Sequence, residues 1–458
     1  MKLMKKGLAV IIVIVFIASL FAACGRETVD KSGLTSGTST ANGTSTASGT
    51  STANTEKKEP ITLTYLCANE NFPDNFKELI TNYENKSGNK VDVQLFPAPE
   101  YDKMIRTKMM SQQNFDLYRT GGIRGSEFNW PTDWPVDLTN REWVSRLDPS
   151  ARKIIEWSDG RITGLPITNN GGFGLMYNKD IFDKVGIKEL PKTWKEFLDV
   201  CEKIKAAGII PVNIQLASGN EFGTSHLMHQ LLANIWITHK DDISDMLNKI
   251  ETNKLKFSQI PEFEQALNQM IELKEKGYTN KDFISTTYDM SQDKFGKGEV
   301  AMHPCGDFIL QPMLSKYPDL KVGLFPAPFG DTQGVIAAFS GVSLAVSSKA
   351  KYKEQALEFM DFFASKEEQE KYMAKSPGIG VFSDVKSVHN MISADIEKYA
   401  LQSEVYPGMF DISRVWPELE VRKLLQEMML GSKTPEQILE EIDKKAEIVA
   451  KGKSLPGW

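Results

Sequence analysis

Little in this chain favours covalent or metal chemistry. Of its 458 residues only four are cysteine and five histidine. Cys24 stands near the start, and the other three, Cys67, Cys201 and Cys305, are odd in number and far apart. That pattern is neither a disulfide framework nor a metal cage. His226 and His229 have the spacing of a helical metal pair, but no glutamate or cysteine completes a zinc motif. P-loop, zincin helix and nucleophile elbow are all missing. There is no basic excess either. The net charge of −6 argues against nucleic acid as a partner and against an electrostatic hold on anionic lipid. The apolar run Leu8–Ala23 falls short of the roughly 18 residues of a membrane-spanning helix. No metal and no cofactor is expected.

What that run does have is context. Lys2, Lys5 and Lys6 precede it, and the small residues Ala22 and Ala23 close it. A basic start, an apolar stretch and small residues at the exit describe an export signal. With Cys24 next, Leu20-Phe21-Ala22-Ala23-Cys24 resembles the lipobox of a bacterial lipoprotein. The resemblance implies a signal peptide over 1–23 and a lipidated Cys24 that holds the chain outside the cytoplasmic membrane. Two or more acyl chains anchor stably where one is marginal. An uncleaved membrane anchor is the other reading, and it too places the rest of the chain outside the cytoplasm.

Residues 24–59 read as a flexible tether. Residues 37–54 repeat Gly-Thr-Ser-Thr-Ala followed by Asn or Ser, without one large apolar side chain. Such a segment cannot bury enough surface to offset its ordering entropy. From Cys24 to Pro60 such a chain would span roughly 30 Å on average. Loss of three lysines and no acid with residues 1–23 takes the net charge from −6 to −9. From Ile61 onward the sequence is globular and too long for one typical core, so two lobes are expected.

In the body, strand and helix signals alternate. Ile61–Cys67 and Val91–Phe96 read as strands, with a helix over Asp74–Asn85 between them. Thr193-Trp194-Lys195-Glu196 is a capping box, and Gly208 ends the helix it starts. Thr434-Pro435-Glu436-Gln437 repeats the device for a helix running towards Gly452. Gly341–Ser347 reads as a buried strand and Lys353–Phe363 as an amphipathic helix. This alternation predicts α/β lobes with largely parallel sheets.

Four stretches then occur in a telling order. They are Asp159-Gly160-Arg161-Ile162-Thr163-Gly164-Leu165-Pro166, and Tyr177–Phe182 continuing through Gly186-Ile187 to Pro191–Phe197. Phe295–Met302 with Gly306 follows, then Ala364–Gln369. Together they resemble the family 1 extracellular solute-binding proteins of ABC importers, the branch that includes sugar receptors. The resemblance implies a two-lobed periplasmic-binding-protein-like α/β fold with hinge crossovers and an interlobe ligand cleft. It places crossings near Leu165–Asn170, Phe325–Phe329 and Ser376–Gly380. Lobe 1 would be 60–168 plus 327–376, and lobe 2 would be 169–326 plus 377–458. Pro166, Pro326, Pro328 and Pro377 keep helices out of these stretches, while Gly378 and Gly380 allow unusual backbone angles.

A sugar presents hydroxyls at its ring edge and an apolar C–H face, so its receptor needs aromatic platforms, carboxylates, amides and arginine. By resemblance Trp416 is a stacking platform, and Phe308 stands where relatives often carry a stacking tryptophan. The alternative for Trp416 is an ordinary packing tryptophan, and for Phe308 a core role suits equally. Asp307 is a hydroxyl acceptor or a solvated turn residue. Asn69, Glu70 and Asn71 follow the first strand, and Thr120 to Arg124 follow another, at the strand ends where α/β folds bind ligands. Asn169 and Asn170 lie on the first crossing. Gln215 and the Asn220-Glu221-Phe222 loop occupy a region that contacts sugar in relatives. Trp130, Trp134 and Trp143 either line the cleft edge or pack a lobe.

The expected function is a monomeric, lipid-anchored receptor, without enzymatic activity. It captures a carbohydrate, an oligosaccharide above all, by hinge closure and delivers it to the permease subunits of an ABC importer. Two other readings stay open at this point. One is a sensor that presents its closed form to a membrane receptor. The other is an extracellular glycosidase, which would need two carboxylates about 5–9.5 Å apart.

Overall fold

The computed structural model describes residues 59–458 apart from residues 70–71, 73, 122–130, 132, 158, 168–170, 218–225, 240, 340–341, 402–405, 408–413 and 417–418. The export signal, Cys24 and nearly all of the repeat tether therefore lie outside the described residues. Among the described residues no helix is long and apolar enough to cross a membrane.

The strands in chain order are β1 (Thr62–Ala68), β2 (Lys90–Phe96), β3 (Leu117–Gly121), β4 (Leu165–Pro166), β5 (Gly171–Asn178), β6 (Ile210–Val212), β7 (Val300–Gly306), β8 (Val322–Phe325), β9 (Ala337–Phe339), β10 (Val342–Val346) and β11 (Tyr406–Pro407). They form two sheets, one per lobe. The first has the order β2-β1-β3-β10-β4, and the second has β11-β9-β5-β7-β6 with β8 also on β5.

Alternation along β1 covers both faces of the first sheet. Leu63, Tyr65 and Cys67 join a core built from Phe76, Phe359 and Phe363. Leu66 and Ala68 join another with Tyr101, Ile105 and Trp134. Trp143 belongs to the first of these cores, so both described tryptophans of the Trp130–Trp143 cluster pack the lobe. Trp130 is outside the described residues. In the second lobe the helix Trp194–Ala206 starts on the expected capping box, and Gly208 follows it in the left-handed region at φ 78°. Cys67, Cys201 and Cys305 are buried thiols, not joined in a disulfide among the described residues.

Three expectations are corrected by the topology. The sheets are mixed, not largely parallel. β1 runs parallel to β2 and β3, but β10 runs against β3 and β4. β5 runs against β7, β8 and β9. The reversed strands β5 and β10 each follow a passage of the chain from one sheet to the other, so they enter from the opposite end.

The second passage is also later than Phe325–Phe329. Because β8 and β9 both pair with β5, the chain stays with the second sheet through Phe339 and reaches the first at Val342. Nor does the chain leave the first lobe at Ser376–Gly380. Val381, Phe382 and Val385 still pack in its core, and Asp384 pairs with Arg146 at 2.9 Å. Ile379 touches the second lobe's core within that stretch, but the chain settles on the second lobe only after Val385, from Met391 on, whose sulfur accepts from the Val322 N–H. The first passage, between Pro166 of β4 and Gly171 of β5, lies where it is expected.

Candidate functional site

The first and second passages bring two sheet ends together. On the first sheet β3 ends at Thr120 and Gly121, opposite Ser343 and Val342 of β10. On the second, Phe173 of β5 lies opposite Gly306 of β7 and Ala337 of β9. Ligands of α/β folds bind beyond such strand ends.

The second-lobe side is the better defined. β7 ends in Gly306, and a short 3₁₀ turn, Asp307–Ile309, follows. Ile309 is buried and anchors the turn, which leaves Phe308 outside: at 42% exposure it is one of the few large apolar side chains open to solvent. Its ring meets Phe173 edge-on, with centroids 5.8 Å apart. His226, from the helix His226–Leu232, stacks behind both, 5.4 Å from Phe173 and 6.4 Å from Phe308. Tyr288 closes the group at 6.4 Å from His226.

Burial lowers the His226 pKa to about 4, against a hydrogen bond to the Pro304 backbone that favours the charged form. The imidazole is thus neutral in ordinary buffers and behaves as part of an aromatic wall. Beside the wall, burial pushes the Asp307 carboxyl up to about 7, although the backbone N–H groups of Gly172 and of Asp307 itself donate to it and pull the other way. Near neutral pH it can accept hydrogen bonds, and when protonated it can also donate one. Gly172 is required here. A Cβ at that position would lie 2.4 Å from Ile336 Cγ2 and 3.3 Å from Ile396 Cγ2, so only glycine lets β5 run this close to its neighbours.

The structure thus brings Asp307 and Phe308 together at one wall. Thr120 is buried within β3 at the facing sheet end. Asn69 is exposed in the turn after β1. Gln215 is buried, with its Oε1 accepting from the Ser291 hydroxyl. Glu70, Asn71, Arg124, Asn169, Asn170, Asn220, Glu221 and Phe222 lie outside the described residues. The stacking role expected of Trp416 is corrected. Trp416 is 2% exposed, with Phe257 and Phe263 at 5.4 and 5.5 Å. Its Nε1–H points to His229 Nε2 at 3.5 Å. This is a core tryptophan whose environment was assembled by residues over 150 positions away. Phe173 and Tyr288 were missed. The one sequence signal for Phe173 was an aromatic residue set in Gly171-Gly172-Phe173-Gly174 directly after the first passage.

Residues 69–370, well over half of the chain, match the bacterial extracellular solute-binding protein family. The chain belongs to that family. Among curated relatives of this solute-binding protein, the multiple sugar-binding protein of Streptococcus mutans is 22% identical over 318 residues, 69% of this chain and 74% of that one. The melibiose/raffinose/stachyose-binding protein of Bacillus subtilis is 26% identical over 278 residues, 59% of this chain and 62% of that one. Among solved structures, a binding protein from Bacillus subtilis in an open conformation superposes with a TM-score of 0.72 at 19% identity, over 86% of this chain and 98% of that one. A chitin oligosaccharide binding protein gives 0.72 at 20% identity, over 86% of this chain and all of its own. These likenesses establish the two-lobed fold with its crossovers and interlobe cleft.

Proposed function

We propose that this solute-binding protein captures a neutral saccharide, an oligosaccharide above all, and delivers it to the membrane subunits of an ABC importer. The observation that carries the reading is the exposed Phe308 ring beside the half-buried Asp307 carboxyl at the passage between lobes. An apolar face next to a hydrogen-bonding carboxyl suits a pyranose, which has a C–H face and a hydroxyl edge. Relatives named for multiple sugars and for melibiose, raffinose and stachyose support the same class. Asn69, Thr120, Arg124, Asn169, Asn170, Gln215 and the Asn220–Phe222 loop remain proposed contacts on both lobes. The lobes would close on the ligand by hinge motion at the passages.

Capture and delivery need no covalent step, and the family is one of binding proteins. In this reading the chain works as a monomer. Cys24 is lipidated after removal of residues 1–23, and the Gly/Thr/Ser/Ala/Asn tether lifts the body off the outer face of the cytoplasmic membrane. A thermal-shift screen of the purified protein against saccharides, amino acids and peptides tests the assignment. A ligand at about 100 times its dissociation constant adds roughly 2.7 kcal/mol. A shift with one group of saccharides supports the reading. A shift with amino acids or peptides alone removes the carbohydrate assignment and leaves the family standing.

A further inference from the structure

The second lobe carries a groove of ≈ 410 Å³ that shares no residue with the aromatic wall. It runs along the helix Pro261–Glu275. Glu264, Gln265, Asn268, Gln269 and Glu272 line it from that helix, and Trp194 and Gly330 add to its wall. Positions i, i+1, i+4, i+5 and i+8 share one side of a helix, so the five side chains are presented together. The volume is within the range of small-molecule sites.

Acids on other helices of this chain have a lysine four residues away. Asp245 pairs with Lys249, Glu367 with Lys371 and Glu447 with Lys451. Four residues after Glu264 stands Asn268 instead. Glu264 has no ion-pair or side-chain hydrogen-bond partner among the described residues. The first turn of a helix favours an acid, which accounts for Glu264 but not for the three amides that follow it on the same side. Glu272 is already occupied. Its Oε2 accepts from Trp194 Nε1–H at 2.7 Å, and its Oε1 lies 3.7 Å from Lys276 Nζ. Gln269 is the second observation. It is 5% exposed, yet neither its Oε1 nor its Nε2 has a protein partner. A helix shows a groove its side chains, so Gln269 lines this one with the same short chain that carries the amide. A buried amide left unmet is costly. Gly330 completes the wall at φ 58°, where a Cβ would lie 3.1 Å from Gln265 Nε2. Its carbonyl accepts from the Trp194 N–H at 2.7 Å, which ties these two parts of the wall together.

The lining thus offers one carboxylate without a counter-ion, three amide oxygens and an indole. Among the described residues no lysine, arginine or histidine lines it. An anion would meet a like charge and no cation. A planar cation with several N–H donors meets the opposite. A guanidinium bonds a carboxylate and amide oxygens at once and lies well against an aromatic ring. An ammonium, a compact and strongly hydrated charge, uses such a lining less fully. We infer that this groove is a second binding site, for a guanidinium group, with Glu264 as its counter-ion and Gln269 as a hydrogen-bonding partner. The group comes either from a free solute or from an arginine side chain on a protein docked against this lobe. The chemistry is the same for both, and it does not depend on the carbohydrate reading above.

The test is NMR of the full chain labelled with nitrogen-15 at tryptophan. The Trp194 indole N–H, assigned with Trp194→Phe, reports on the groove through its bond to Glu272. Three probes are titrated: free L-arginine, N-acetyl-L-arginine N-methylamide, which shows the side chain as a protein would, and the corresponding blocked lysine. A saturable shift with at least one arginine probe is expected, with a dissociation constant on the order of 1 mM. Glu264→Gln and Gln269→Leu are each expected to weaken it roughly tenfold, the scale of one lost charge-assisted or buried hydrogen bond. Glu264→Gln keeps the shape of a half-buried helix side chain, so it carries the comparison should the Gln269 variant not fold. Binding of the blocked arginine supports a docked protein as the source, and binding of free arginine alone supports a solute. No saturable shift with either arginine probe, or one that Glu264→Gln leaves unchanged, overturns the site. An equal response to the blocked lysine overturns the guanidinium assignment.

Discussion

The rings of Phe173 and Phe308 meet edge to face, with centroids 5.8 Å apart and planes at 73°. One comes from the start of β5, directly after the chain has passed between lobes, and the other from the turn that ends β7. Residue pairing of Phe173 with Gly306 makes the contact a consequence of strand register. A slip of one residue would turn Phe173 to the opposite face of the sheet. The site thus inherits its geometry from the sheet, and its exposed member, Phe308, presents part of its ring to solvent.

Phe308→Ala should weaken saccharide binding and leave stability almost unchanged. The side chain is 42% exposed, and surface substitutions usually stay within about 0.5 kcal/mol. Loss of an aromatic contact is worth about 0.5–1.5 kcal/mol beyond the area it buries, so affinity should fall by roughly tenfold. Phe308→Trp, with a larger platform, should keep or improve it. Parallel calorimetry and urea denaturation separate the two effects.

Trp416→Ala should do the reverse. Truncating this buried ring beside Phe257 and Phe263 should cost about 3–5 kcal/mol of stability. At a temperature where the variant is still folded, its affinity should match wild type. A large affinity loss in a stably folded variant would restore the ligand role that the core position denies it.

Stability should fall in mild acid. Burial lowers the pKa of His226 to about 4 and of His229 and His303 to about 3, with the charge of His226 adding to the effect on the other two. Between those values and the ordinary histidine pKa of about 6.5 the unfolded chain binds protons that the native one does not. Stability therefore decreases as pH drops below about 6.5, by up to about 1.4 kcal/mol per pH unit for each histidine. Asp307 has the opposite sign. Its native carboxyl, raised to about 7, holds a proton that the unfolded chain has released. Its contribution is present at low pH and is lost as pH rises from about 4 to about 7. Urea midpoints from pH 4.5 to 8 should show a steeper fall in acid for Asp307→Asn than for wild type, and a shallower one for His229→Gln.

Gly172→Ala should disrupt the sheet end. The new methyl would sit 2.4 Å from Ile336 Cγ2, and overpacking of this kind costs about 1–3 kcal/mol. Gly186→Ala is the control, with open space around it but a φ of 74°. Its cost should stay near 1–2 kcal/mol, from backbone strain alone. Saccharide affinity should drop in the first variant and hold in the second.

Local signals proved the most legible. Both expected capping boxes are present, at Thr193 with Glu196 and at Thr434 with Gln437. β1, β2 and β10 fall within a residue or so of the expected strands. These features depend on near neighbours in the chain, which a sequence displays directly. The second passage was misplaced because the resemblance put it at a stretch where Pro326 and Pro328 also signal a break in regular structure, and that break falls between β8 and β9 within one lobe. Strand direction was misread for a similar reason. Alternation of helix and strand does not say from which end a strand enters after a passage. Asp307 and Phe308 were proposed through a family motif, and Trp416, which the structure buries, came by the same route. Its burial is decided by Phe257, Phe263 and His229, which no local pattern links to it.

The most direct test is calorimetric titration of wild type, Phe308→Ala and Trp416→Phe, side by side, with raffinose, stachyose and a chitin oligosaccharide. The account predicts one-site binding of at least one of these by wild type. Binding should weaken in Phe308→Ala and be kept in Trp416→Phe. No binding of any saccharide by a folded wild type, or binding that is indifferent to Phe308, would contradict it.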